Sequence, residues 1–171
     1  MEEQNVSAVI DIGTNTFNLL IANRSKSGLN IIESHKVAVS LGMGGINEGI
    51  LAADAIQRAL DAFETFQGIL LNYPLVQPTL IATSAVRDAK NASTFITAVF
   101  ERFAWEVTVV SGMKEAELIY KGVGLCYDFN EHTMIMDIGG GSTEFIEANN
   151  EGICSEVSLN IGVSRLYQGF S

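Results

Sequence analysis

The 171-residue chain has few of the residues that brace small proteins covalently or rigidify their loops: two cysteines and two prolines. Cys126 and Cys154 show neither CxxC spacing nor a nearby histidine pattern. A zinc site or a disulfide framework is therefore unsupported, and two reduced, mostly packed thiols are expected. Basic residues are also scarce, ten against twenty acidic ones, for a formal net charge of −10. That balance excludes generic nucleic-acid binding through a basic face. A polyanion would have to be received locally, by Arg87, Lys90, backbone amides or a metal ion. No phosphate-binding loop ending in Gly-Lys-Ser or Gly-Lys-Thr occurs. The stretch LGMGGINEG has Gly42 and Gly44 but Asn47 where a dinucleotide fingerprint needs a third small residue. His35 and His132 stand outside any spacing that would assemble a Ser-His-acid arrangement. Thr65 to Val86 carries no charge and is long enough for a membrane span, yet Gln67, Asn72, Pro74, Gln77 and Pro78 interrupt it. It reads as a helix end, a loop and a buried strand. The opening MEEQNVS is acidic and lacks the apolar run of a secretory signal, so the cytoplasm is the expected compartment.

What is present is enough apolar material for a core: 47% hydrophobic residues against 18% charged. Val6–Asp11, Phe17–Asn23 and Leu29–Val37 read as a three-stranded meander, with Ser25-Lys26-Ser27-Gly28 as its second turn. Leu51 to Leu71 has apolar positions at Ile56, Leu60, Phe63 and Leu70, a helical period. Thr79–Thr83 then reads as a buried strand, Ala92–Phe103 as a helix, Val107–Val110 as a strand and Met113–Cys126 as a third helix. Alternation of this kind predicts an α/β domain with a largely parallel sheet after the meander. Tyr127–His132 would cross to a second meander, Thr133–Ile138, Thr143–Glu147 and Gly152–Leu159. The expected division is residues 1–126 for a complete first domain and residues 127–171 for the beginning of a related second one. With no helices of its own, the second sheet would leave Ile135, Phe145 and Ile153 exposed or paired with something else.

The second meander contains three consecutive glycines, Gly139-Gly140-Gly141, between Asp137 and Glu144. Glycine is costly inside a strand, so the chain turns here, and the turn offers bare backbone N–H groups together with the hydroxyls of Ser142 and Thr143. An ordinary hairpin would also use glycines this way. The earlier segment Val9-Ile10-Asp11-Ile12-Gly13, followed by Thr14-Asn15-Thr16 and another apolar strand, repeats the pattern. Such duplication suggests two related halves facing one polyphosphate group. Gly13, Thr14 and Asn15 on one side, and Gly139, Gly140, Gly141 and Ser142 on the other, are the candidate phosphate-wrapping residues. Aspartates at the ends of buried strands are costly unless paired or on a metal. Asp11 and Asp137 in matched positions thus point to a cation, and Mg²⁺ takes few carboxylates, keeps several waters and accompanies phosphates.

Read together and in order, IDIGTNTFNLLI, LIATSAVRDAKNASTF, VVSGMKEAELIYKGVGL, MDIGGGSTEFI and SLNIGVSRL resemble the exopolyphosphatase and guanosine pentaphosphate phosphatase family. That family lies within the actin, sugar-kinase and heat-shock-protein-70 superfamily. The resemblance implies an actin-like ATPase (ribonuclease H-like) α/β fold and a Mg²⁺-dependent hydrolase of phosphoanhydride bonds, with K⁺ as a further cation. It also implies inorganic polyphosphate or guanosine pentaphosphate as substrate, a place in the stringent response, and a homodimer through further carboxyl-terminal chain. A same-fold ATPase or kinase and a non-catalytic polyphosphate or nucleotide sensor are the rival readings. Carried over residue by residue, the resemblance makes Glu115 the catalytic base and Arg87, Asp137, Gly139 and Glu144 the substrate- or metal-handling groups. Glu115 follows Ser111-Gly112 at a helix start, where the dipole favours a carboxylate, though acids in first turns are common for structural reasons alone. Arg87 follows an apolar strand, where ligands of open α/β sheets collect, or else forms a structural ion pair with Asp88 or Glu144. The chain departs from the family where arginines are common near Asn18 and at Ser40, and where a glutamate is common at Lys114. Loss of two cationic positions removes potential phosphate contacts.

Overall fold

A computed structural model describes residues 6–25, 28–129 and 132–170. Lys26 and Ser27 of the expected turn lie outside the described residues. The elements run β1 (Val6–Ile12), β2 (Thr16–Ser25), β3 (Gly28–Ala38), α1 (Ala53–Leu70), β4 (Pro78–Ala82), α2 (Ser84–Arg87), α3 (Ala92–Phe103), β5 (Val107–Val109), α4 (Gly112–Val123), β6 (Thr133–Ile138), β7 (Thr143–Asn149), β8 (Gly152–Leu159) and α5 (Val163–Phe170). The first sheet has the order β3-β2-β1-β4-β5, antiparallel across the meander and parallel from β1 through β4 to β5; the second has the order β6-β7-β8. The mixed α/β architecture agrees with the reading from the sequence. Two elements do not. Arg87 closes the one-turn helix α2 instead of projecting from the end of a strand, and residues 163–170 form a helix where only the start of a segment was expected.

Strand alternation sets the core. Ala8, Ile10 and Ile12 of β1 and Phe17, Leu19 and Ile21 of β2 share one face and are buried there under Ala55, Ala59, Phe63 and Phe66 of α1 and Phe95, Val99 and Phe103 of α3. The helical residues recur at three- and four-residue intervals, as a helix lying on a sheet requires. Phe63 is the hub. Its ring centroid lies 5.1 Å from Phe17, 5.8 Å from Phe103, 6.0 Å from Trp105 and 6.3 Å from Phe95, separations at which aromatic pairs attract beyond simple burial. Helix α3 stops where Ala104 adopts a left-handed conformation, φ 54°, and turns the chain toward β5.

The duplication holds at the level of register. Asp11 pairs with Asn18 and Ile12 with Phe17 in the first hairpin; Asp137 pairs with Glu144 and Ile138 with Thr143 in the second. Gly13 N donates to Thr16 O (3.2 Å), and Gly139 N donates to Ser142 O (2.9 Å). What differs is which face is covered. The second sheet does have a helix: α4 packs on β7 and β8, over the face bearing Ile146 and Glu144, with Ile135 opposite Ile146. The uncovered face is therefore the one bearing Met134, Met136 and Ile138, which are 64%, 55% and 57% exposed. Their counterparts Ala8, Ile10 and Ile12 are 2%, 0% and 0% exposed. Cys126 and Cys154, expected to be packed, are exposed free thiols. No helix among the described residues is long and apolar enough to cross a membrane.

If Phe63 holds α1, α3 and β2 together, Phe63→Ala should cost about 3–5 kcal/mol, the range for deleting a buried ring with partial relaxation. Urea unfolding of the variant checks this, and a loss below about 1 kcal/mol would mean that the surrounding rings collapse into the gap.

Candidate active site

The two matched hairpin turns meet. A Cβ built on Gly140 would stand 2.8 Å from the Asn15 Nδ2 and Thr14 Cβ atoms, and one on Gly141 would stand 2.5 Å from Ser84 Oγ and 2.9 Å from Thr14 Oγ1. Glycine is needed here because the backbone of one turn lies directly against the side chains of the other. Thr14 Oγ1 and Ser84 Oγ share a 3.0 Å hydrogen bond at this contact, and Thr14, Ser84 and Ser142 are all buried. The seven residues expected to wrap phosphate thus come together as two touching loops.

Around this contact the structure gathers the expected acids. Burial raises the Asp11 carboxyl above the ordinary aspartate value; Asn18, whose Nδ2 donates to Asp11 Oδ2 at 3.0 Å, opposes the shift, and the charge of Asp137 reinforces it. Burial likewise raises the Glu115 carboxyl, against a lowering by the Arg87 hydrogen bond, and the charges of Glu144 and Asp11 push it further up. The couplings run from Asp137 to Asp11 and from Glu144 and Asp11 to Glu115, linking β1, β6, α4 and β7. Asp137, expected at the end of a buried strand, is exposed because no helix among the described residues covers that face of β6. Glu144 is 1% exposed, and Ser158 of β8 donates to its Oε1 at 2.7 Å. The same serine fixes the start of α4: a Cβ on Gly112 would lie 2.5 Å from the Ser158 Cβ. Ser111 caps that helix by accepting from Lys114 N, which places Glu115 in the first turn as expected.

Arg87 has a partner that the sequence reading did not name. Its Nη1 donates to Glu115 Oε2 at 2.7 Å and to Val110 O at 3.3 Å, while its Nε lies 3.6 Å from Asp88. Lys90 Nζ donates to Glu48 O. Arg165 was missed. Its Nε donates to Gly141 O (2.6 Å), its Nη1 to Ile46 O (2.9 Å) and its Nη2 to Asp88, so one guanidinium spans both halves of the molecule. The motif SLNIGVSRL contained this residue, but nothing in the spacing said which loops it would reach. Among the described residues no three acidic, histidine or cysteine side chains come close enough together to hold a metal ion. Two aspartates at matched strand ends are a hard-oxygen donor set that fits a Mg²⁺ ion retaining most of its water. A cavity of about 480 Å³ opens between Met113, Lys114 and Glu117 of α4 and residues 153–156 of β8, and none of these lining residues belongs to the acidic group.

Comparison with known proteins finds relatives in sequence and in fold. The Ppx/GppA phosphatase family pattern matches residues 20–171. A bifunctional 3-dehydroquinate synthase/phosphatase of Fusobacterium nucleatum is 37% identical over 172 residues, 95% of this chain and 26% of the relative. A guanosine-5'-triphosphate,3'-diphosphate pyrophosphatase of Pseudoalteromonas translucida is 36% identical over 94% of this chain and 32% of the relative. The crystal structure of an exopolyphosphatase from Cytophaga hutchinsonii superposes with a TM-score of 0.93 at 38% identity, covering 97% of this chain and 54% of that one. The ethanolamine utilization protein EutJ of Carboxydothermus hydrogenoformans, with a TM-score of 0.51 at 14% identity, shares the fold alone. The chain spans about a quarter to a third of these curated relatives and about half of the solved structure.

The raised Glu115 carboxyl has a consequence for stability. Glu115 ionises in the unfolded chain near its ordinary 4.5, whereas the folded cleft resists that ionisation. The associated stability is complete below the unfolded value and is lost as pH rises through the folded one. In metal-free buffer, Glu115→Gln should therefore gain thermal stability relative to the parent as pH is raised from about 4 to about 7. Parallel melting curves show the sign, and a difference constant with pH would mean that Arg87 fully compensates the burial of the charge.

Proposed function

Because the chain belongs to the Ppx/GppA phosphatase family, we propose that it forms part of an exopolyphosphatase, which hydrolyses the terminal phosphoanhydride of inorganic polyphosphate in the cytoplasm. The observation that carries this reading is the convergence of Glu115, Arg87 and Glu144 with Asp11 and Asp137 around two touching glycine turns. Guanosine pentaphosphate is the second substrate to test, since one relative is named for that chemistry. Residues 1–126 are read as the first actin-like domain and residues 127–171 as the start of its duplicate, with α4 shared between them because it leans on the second sheet.

In the proposed reaction the terminal phosphate lies between the two turns. The amides of Thr14 and Asn15 and those of Gly140, Gly141 and Ser142 hold its oxygens, while those of Gly13 and Gly139 close the two hairpins. Glu115 takes a proton from the attacking water, a role for which a carboxyl with a raised pKa is better matched than an ordinary one. Arg87 turns from Glu115 toward the phosphate as charge builds there; a guanidinium has five donors, more than the present partners use. Glu144, held by Ser158, orients the water. Asp11 and Asp137 would hold Mg²⁺, which supplies charge neutralisation of the transferring group.

Phosphate release by the full-length protein is the test. Glu115→Gln should lower turnover on the order of 10²–10⁴-fold with polyphosphate binding retained, since glutamine keeps the shape but accepts no proton. Glu117→Gln, a surface position paired with Lys114 and Lys121, should turn over normally. Equal losses at both positions would remove Glu115 as the base. Asp137→Asn should raise the Mg²⁺ concentration needed for half-maximal rate while leaving the melting temperature nearly unchanged, and an unaltered Mg²⁺ requirement would take Asp137 off the metal.

A further inference from the structure

The three glycines of the second turn are the least constrained stretch of backbone in the candidate site, and each loses more conformational freedom on ordering than any other residue type would. Their carbonyls are nevertheless all taken. Gly139 O accepts from Val163 N (3.0 Å), Gly140 O from Ser164 N (2.8 Å) and Gly141 O from the Arg165 side chain at Nε (2.6 Å). In a planar trans peptide the N–H points opposite the C=O of the preceding residue. Three carbonyls drawn toward residues 163–165 therefore turn the amides of Gly140, Gly141 and Ser142 to the other side. The first turn is held in the same manner by the segment after β3: Gly42 N donates to Thr14 O (3.0 Å), and Val39 N and Ser40 N donate to Asn15 O (2.9 and 2.8 Å). There the holding groups are all backbone. In the second turn the last carbonyl is held by a side chain, and that side chain is anchored in the first half of the molecule through Ile46 O and Asp88.

We propose that Arg165 is a positioning residue for phosphate binding: by holding Gly141 O from an anchor on Ile46 and Asp88, it presets the second turn so that its amides form a ready-made anion cradle. The inference rests on the phosphohydrolase reading above and adds to it a residue outside both Asp-Gly turns. Arg165 is suited to the task because a planar guanidinium fork reaches three acceptors in fixed directions, which an ammonium on a flexible stem does not. At 15% exposure the Arg165 side chain is largely shielded from water that would compete for those acceptors. Asp88 also lies 3.6 Å from Arg87 Nε, so the anchor of the cradle and the seat of the proposed phosphate-binding arginine are one carboxylate. Preorganised donors act without reorganisation cost when charge arrives, which is the advantage lost if the glycines are freed.

The test uses the full-length protein and tripolyphosphate. Arg165→Lys should raise KM on the order of 10- to 100-fold while kcat changes little, because the cradle binds but does not perform the chemistry. In the ligand-free protein the backbone ¹⁵N order parameters of Gly140 and Gly141 should fall from about 0.85 toward 0.6 or below. Gln168→Ala is the control. Gln168 sits on the same helix and also bridges the halves, through Gly44 N and Gly42 O, but does not touch the glycine turn. It should leave the Gly140 and Gly141 order parameters unchanged. Asp88→Asn, which loosens the anchor while keeping Arg165 in place, should move the order parameters in the same direction as Arg165→Lys and decides the matter if the lysine variant does not fold. Order parameters that stay at the parent value in Arg165→Lys and Asp88→Asn, or that fall equally in Gln168→Ala, would overturn the proposal. Absence of phosphate release by the parent protein would instead overturn the phosphohydrolase reading, and the order parameters would still decide the role of Arg165.

Discussion

Everything in the cleft depends on how closely two backbone turns approach. Gly140 and Gly141 lie against Thr14, Asn15 and Ser84 at distances no Cβ could tolerate, so the two halves can be brought together only where side chains are absent. Gly162 adds a second close approach, its backbone lying against the Gly140 carbonyl. From this contact outward, β1 and β6 carry Asp11 and Asp137 at matched positions, paired across their hairpins with Asn18 and Glu144. The glycines work here as spacers of zero width.

The duplication is faithful in backbone and unequal in chemistry. At matched register positions the first hairpin pairs aspartate with asparagine and the second pairs aspartate with glutamate. An amide beside Asp11 donates a hydrogen bond that steadies its ionised form against burial. The carboxylate that pairs with Asp137 accepts a hydrogen bond from Ser158 instead. Each hairpin sends one charge toward Glu115, Glu144 from the second and Asp11 from the first. Two copies of one supersecondary unit thus present different side chains at matched positions, asparagine at 18 and glutamate at 144 among them.

Helix α4 ties this electrostatics to the architecture. It leaves β5 of the first sheet, starts against Ser158 of the second, and brings Glu115 onto Arg87, which belongs to the first half. Arg165 makes the reverse connection from α5 to Ile46 and Asp88, reinforced by Ser164 donating to Asn15 Oδ1 at 2.6 Å. Two segments cross in opposite directions, each delivering one charged side chain, and the arginines converge on Asp88.

The strands, the helices α1, α3 and α4, and the duplicated Asp-Gly turns were legible in the sequence because local periodicity and glycine placement express them directly. Asp11 and Asp137 could be named from the duplicated turns, whereas Glu115 and Glu144 received their roles from the family resemblance, because an acid in a first helical turn or after a glycine turn is common for structural reasons alone. The one-turn helix α2, the α5 helix, the partnership of Arg87 with Glu115, and Arg165 altogether could not. Each depends on which segments meet after folding, and a hydrogen bond between residues such as Asp88 and Arg165 leaves no periodic trace along the chain. The same holds for coverage of the second sheet: Met134, Met136 and Ile138 carry the apolar pattern of Ala8, Ile10 and Ile12, yet only the tertiary structure decides which apolar face receives a helix, because burial is a property of neighbours and not of the strand itself.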